Sequence, residues 1–345
     1  MSAASLKWRM SAICLLTLFA CGAAEAEPQD NDADALPIAD CDKASKLPLP
    51  KVEVPTPAER AALKGCDSEA LYFGIGIPRD PARARQCAYV EREASDNGWP
   101  NLFSGTGMLM TIYANGIGAP RSFDLALKFA CELQGAPAEE QGWVAHLEKF
   151  KREHWRGQDF SPCEDITSGA AQGACAQHEA RLAEETRKEK LASLIAGWSE
   201  GERRAFATLE KAKNAYVQAE ADNEVDMSGT ARGAMYVEAE QAEEDRFLAI
   251  LQSLIKGEPP ASPKERFAEA DAKLNALYGK ILKTKDSSAR GTVTKDGIKA
   301  TQRVWLRYRD AWVAFANVKF PALAPENLTT ALTSDRIKLL ENFVD

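Results

Sequence analysis

The sequence predicts an all-α protein, built from helical hairpin repeats followed by two small helical-bundle modules. Three observations carry this. Apolar residues recur three and four apart along most of the chain, and no run alternates with the period of a half-buried strand. Helix-start signals stand at Thr56-Pro57-Ala58-Glu59 and Ser262-Pro263-Lys264-Glu265, where a hydroxyl caps, proline takes the first turn and glutamate closes a capping box. Two stretches of the chain also repeat internally.

The N-terminus, MSAASLKWRMSAICLLTLFA, sets Lys7 and Arg9 ahead of an apolar run too short to span a bilayer, which is the form of a secretory signal peptide. Ala24-Glu25-Ala26 satisfies the small-x-small cleavage rule and ends the leader at residue 26. Leu18-Phe19-Ala20-Cys21 resembles a lipobox and would end it at residue 20, with Cys21 carrying lipid. Either site implies export to the periplasm or bacterial envelope, with membrane attachment only through that lipid. Six cysteines then remain, Cys41, Cys66, Cys87, Cys131, Cys163 and Cys175, an even set that an oxidising compartment would pair.

With 43 basic and 51 acidic residues the chain has a net charge of −8. Loss of residues 1–20 removes two cations and takes it to about −10. That balance argues against nucleic acid, whose phosphates want the opposite sign, and for a basic protein partner. No HExxH, Gly-x-Ser-x-Gly or phosphate-loop pattern occurs, and His146, His154 and His178 have no metal-ligand register. We therefore expect no enzyme activity, no cofactor and no metal.

Residues 27–55, rich in proline and aspartate, read as a linker. Order is expected from Thr56. The first repeat pairs YFGIGIPRDPARAR from Tyr72 with YANGIGAPRSFDLAL from Tyr113, so that Gly74 and Gly116, Gly76 and Gly118, Arg79 and Arg121, and Ala84 and Ala126 align 42 residues apart. Glycine after a helix supplies a left-handed turn, and alanine lets the next helix approach closely. These residues resemble the Sel-one-like repeats, relatives of the tetratricopeptide repeat. The chain departs from that pattern at Ser122, where Asp is usual, and at Cys87 and Phe129, near the usual Trp. Residues 56–155 are assigned to this part.

The second repeat aligns Asp245-Arg246-Phe247 with Asp335-Arg336-Ile337 at 90 residues, and Tyr216-Val217 with Trp305-Leu306 at 89. It divides the rest into modules 156–256 and 257–345, each expected to bury its aromatic stripe against its own neighbours. Within the second module, ADAKLNALYGKIL, QRVWLRYRDAW and LTSDRIKLL resemble the LprI-type lysozyme inhibitor family, most specifically in the core Trp305 to Asp310. Trp312 and Val313 stand where that family commonly has Cys. The first module keeps Cys163 and Cys175, spaced as at the start of that family's domain, but has degraded the core to NAYVQAEAD. The resemblance implies inhibition of lysozyme. We favour Cys163 with Cys175, and Cys66 with Cys87 across one Sel-one-like repeat, which leaves Cys41 and Cys131.

Drawn as a helix, Val304, Trp305, Tyr308, Ala311, Trp312 and Phe315 share one face, while Arg303, Arg307 and Asp310 lie on another. The stripe is read as core, with Arg307 and Asp310 paired at i, i+3. Arg307, Arg309, Asp310 or the Ala322–Thr330 loop are the partner contacts expected here. An acidic band, Glu220, Asp222, Glu224, Asp226, Glu238, Glu240, Glu243, Glu244 and Asp245, is expected to steer a basic partner, with Glu240, Glu243 and Glu244 as its binding residues. The rival reading is an envelope adaptor that uses the Sel-one-like repeats.

Overall fold

The computed structural model describes residues 41–94, 102–258, 266–284 and 290–344. The leader with Cys21, the first part of the linker and the Ser262–Glu265 capping box lie outside them. Every regular element among the described residues is helical, as the periodicity predicts.

The first of these, α1 (Cys41–Ala44), lies inside the expected linker. Residues 41–55 are not a free spacer. Cys41 is bridged to Cys131, Lys128 Nζ donates to the Ser45 carbonyl, and the Tyr113 hydroxyl donates to Glu53. Proline-rich composition argues against a long helix, not against an anchor, and here a cystine and two polar contacts supply one.

α2 (Pro57–Ala62) starts with the predicted capping box: the Thr56 hydroxyl accepts from Glu59 N, and the Glu59 carboxylate accepts from Thr56 N at 2.7 Å. Two hairpins follow, α3 (Ser68–Phe73) with α4 (Pro81–Ala94), and α5 (Gly105–Asn115) with α6 (Phe123–Glu132). Gly74 and Gly116 cap their helices at φ 82° and 65°. The turns share hydrogen bonds 42 residues apart. Arg79 Nε donates to Tyr72 O and Arg121 Nε to Ala114 O; Asp80 N donates to Leu71 O and Ser122 N to Tyr113 O. The glycines are required unequally. A Cβ on Gly118 would lie 2.3 Å from the Pro81 carbonyl, whereas one on Gly76 would meet nothing within 4 Å.

α7 (Pro137–Arg152) and a 3-10 turn at Pro162–Asp165 complete this part. Its core centres on Tyr89, Met108, Leu109, Tyr113, Phe129 and Trp143, and extends past residue 155 to Phe160 and Cys175. The disulfides among the described residues are Cys41–Cys131, Cys66–Cys87 and Cys163–Cys175.

α8 (Gly169–Ile195) leaves this core and enters a second one. His178 Nδ1 and Glu69 Oε1 are 2.5 Å apart, and Arg181 reaches Glu69 and Asp67, so α8 is fastened to α3 where it departs. The second core is built by α9 (Glu200–Glu224), α10 (Arg232–Ile255), α11 (Phe267–Lys283), α12 (Lys295–Lys319) and α13 (Pro325–Glu341). α8 packs on α10 and α11 on α13, while α9 and α12 make the broadest helix contact among the described residues.

That central contact corrects one expectation. Residues 156–256 and 257–345 do not bury their aromatics separately. Tyr216 stacks on Tyr308 at 5.1 Å, Phe247 meets Trp312 at 5.1 Å, and Phe206 meets Phe315 at 5.6 Å, all across that divide. Rings from α9 and α10 interlock with those of α12, so the two segments share a single core.

Candidate interaction surfaces

On α12, Trp305, Tyr308, Trp312 and Phe315 are buried, as their spacing predicts. Arg309 is not the free contact expected of it. Its guanidinium sits 5.3 Å from the Trp305 ring and 5.7 Å from Phe267, and it donates to Asp310 Oδ1 at 3.0 Å. Asp310 thus pairs with Arg309 rather than Arg307, because the aromatic shelf holds the Arg309 fork beside it. Arg307 stays exposed, with no hydrogen bond or ion pair among the described residues.

The supposed Ala322–Thr330 loop is largely helix. α13 begins at Pro325, with Leu328 and Thr330 buried. Proline at a first helical turn starts a helix, and only residues 322–324 remain as connection.

The acidic band is divided by the packing. Glu220 and Glu243 are buried, and the Glu224 side chain is only 3% exposed. They surround Arg336, whose fully buried guanidinium donates to both Glu224 oxygens at 2.6 Å and to Gln302 Oε1 at 2.9 Å. Glu243 accepts from Arg246, and so is withdrawn from any partner. Burial, with the Glu243 carboxyl alongside, pushes Glu220 up to about 8, and burial raises Glu243 too. One Glu220 oxygen has no hydrogen-bond partner among the described residues. The sequence shows these acids as a charged face; their partner Arg336 is 112 residues from Glu224, which no local pattern signals. The only local hint is Asp-Arg at both ends of the longer repeat, at Arg246 and Arg336.

Of the band, Asp222, Glu238 and Asp245 stay exposed, while Glu240 and Glu244 line a groove of about 390 Å³ between α8, α9 and α10. Its cations are engaged: Lys213 with Glu244 at 2.6 Å, Arg187 with Asp245 at 2.9 Å, and Lys188 with Glu184 at 2.9 Å. Glu210 and Glu240 face the same groove without an ion pair among the described residues, and burial raises both. Of the three acids expected to bind, Glu240 is thus open, Glu244 is occupied by Lys213, and Glu243 is internal. No local pattern singles out Glu210, which lies ten residues before the acidic band begins at Glu220.

The three-ligand cluster Cys66, Cys87 and Glu91 does not suit a metal, since its sulfurs are joined in a disulfide and a metal needs thiolates. His146 bonds Asp165 at 2.8 Å and His178 bonds Glu69; both tie helices together. No helix among the described residues is long and apolar enough to cross a membrane.

The chain is thus a disulfide-linked protein, all-α among its described residues, with charged side chains on packed helices that have no ion pair among those residues. Residues 263–340 match the model of the family described as Lysozyme inhibitor LprI, a segment that runs through α11 and α12 and nearly to the end of α13. No curated protein and no solved structure matches the chain.

Proposed function

We propose that this chain is an exported envelope protein that binds lysozyme and inhibits it without catalysing a reaction of its own. The observation that carries this is the family match over 263–340, which falls on the helices that hold the Trp305–Asp310 core. Export is supported by the leader and by three disulfides, which suit the periplasm or the outer envelope; acylation at Cys21 would add a membrane anchor. Modules 156–256 and 257–345 are proposed to derive from one duplicated unit. In support, α8 lies on α10 as α11 lies on α13, and the Asp-Arg pair recurs. The unpaired Glu210 and Glu240 of the groove would speed encounter with a basic lysozyme. The test is lysis of cell walls by lysozyme with the mature protein in micromolar excess. Undiminished lysis would remove this reading.

A second reading is favoured by one observation, the turn hydrogen bonds that recur 42 residues apart in α3–α6. They support a Sel-one-like pair of repeats over 56–155, used as an adaptor for an envelope protein. Capture of such a partner by the full chain, abolished by substitutions on α3–α6 that leave lysis inhibition intact, would support it.

A further inference from the structure

Between Asp296 and Asp310 the sequence GIKATQRVWLRYR contains four cations and no acid, in a chain where acids outnumber bases. Arg309 turns inward onto Trp305. The other three, Lys299, Arg303 and Arg307, recur every fourth residue on the exposed side of α12. They make no hydrogen bond or ion pair among the described residues. Leu306 lies beside them, 37% exposed. This ridge falls inside the family-matched segment.

Residues four apart on a helix stand on successive turns, roughly 6 Å apart. Each guanidinium is a planar fork that takes a carboxylate through two hydrogen bonds. Glycoside hydrolases such as lysozyme work with two carboxyl groups about 5–5.5 Å apart when they retain configuration, or about 6.5–9.5 Å when they invert. The spacing of Arg303 and Arg307 suits such a pair.

Resting on the lysozyme reading, we propose that Arg303 and Arg307 enter the substrate cleft of lysozyme and each receives one of its two catalytic carboxylates, with Leu306 packed against the cleft wall and Lys299 extending the contact. The site is electrostatically bounded. Asp296 and Asp310, both exposed on the same face, close it at either end, so it presents a short run of positive charge. That fits a pair of point charges in a cleft better than an anionic membrane plane, which would also be repelled by the net −8 of the chain.

The experiment compares the full mature chain with R303E/R307E, and with K64E/K256E as a control of equal net charge on exposed residues elsewhere. Thermal melting should be unchanged in both, since all four positions face solvent. Inhibition of an animal-type lysozyme by R303E/R307E should weaken about 100-fold or more, while the control stays within about threefold. Binding of the wild-type chain to a lysozyme with both catalytic carboxylates changed to amides should weaken comparably. Equal inhibition by R303E/R307E and wild type, or unchanged binding to the amide enzyme, would overturn the proposal while leaving lysozyme inhibition standing. A wild-type chain that does not inhibit ends both. Loss of binding to phosphatidylglycerol vesicles in R303E/R307E with intact inhibition would make the ridge a lipid contact and would likewise overturn the proposal.

Discussion

The two ends of the molecule are held together by different means. Up to the start of α8, helices of 4 to 16 residues are tied by two cystines, and a third holds the first turns of α8 to the 3-10 turn before it. Beyond α8, helices of 17 to 25 residues carry no disulfide and enclose stacked aromatics and a buried Arg336–Glu224 pair. Short helices are marginal alone and gain from cross-links that restrict the unfolded chain. Long helices with large rings bury enough surface without them. The consequence is functional. The family-matched segment has no covalent brace, so its stability rests on groups that respond to pH and to single substitutions.

Opening the longest cystine loop should separate the regions most strongly. Replacing Cys41 and Cys131 by serine frees a crosslink between residues 90 apart and should cost about 4–5 kcal/mol in the chain-entropy model. Hydrogen exchange should accelerate in residues 41–160 and much less in α9–α13; equal acceleration in both would mean that they unfold as one unit. The mirror experiment is Arg336→Met, which leaves Glu224 buried without its cation and should cost about 3–5 kcal/mol. Here exchange should rise in α9–α13 first.

Stability should also depend on pH through Glu220. Tyr216 and Glu224 on its own helix, Glu243 and Arg246 on α10, Tyr308 on α12, and Arg336 and Asp335 on α13 contribute to the electrostatics of the buried cluster. With Glu220 raised from 4.5 to about 8, the folded chain keeps a proton that the unfolded chain releases. The associated stability is complete below about pH 4.5 and is lost as pH rises to 8, at about 1.4 kcal/mol per unit at most. Denaturant midpoints of Glu220→Gln should show a flatter slope across that window; parallel curves would contradict the buried-acid account. Asp226, lowered to about 2 by hydrogen bonds from Ser228 and Thr292, acts in the opposite sense, and its contribution fades only as pH falls toward 2.

The smallest effect discriminates between the two hairpin turns. Gly118→Ala drives a Cβ into the Pro81 carbonyl at φ 88° and should cost about 2–3 kcal/mol, against about 1 kcal/mol for Gly76→Ala, where only the backbone conformation resists. Equal costs would mean that the second turn is not seated on α4 as described.

The sequence was most legible where a pattern is local. The period of Trp305, Tyr308, Trp312 and Phe315 identified a buried face, Gly74 and Gly116 marked turns, and Thr56 with Glu59 marked a helix start. It was least legible where a residue's role depends on a distant partner. Glu243 and Glu224 are indistinguishable from exposed Glu238 until Arg246 and Arg336 arrive from other turns and helices. An arginine among tryptophans and a tyrosine signals a contact, while Phe267 from α11 and Trp305 hold Arg309 inward. The composition of residues 41–55 reads as a linker because it does not register the single cystine that anchors them.

The most direct test of the whole account is the rate of cell-wall lysis by an animal-type lysozyme with the purified mature chain, measured at low and at high salt. Inhibition is expected at micromolar protein or below and should weaken as salt screens the groove and the ridge. Lysis at the uninhibited rate at low salt, where both surfaces act most strongly, would contradict it.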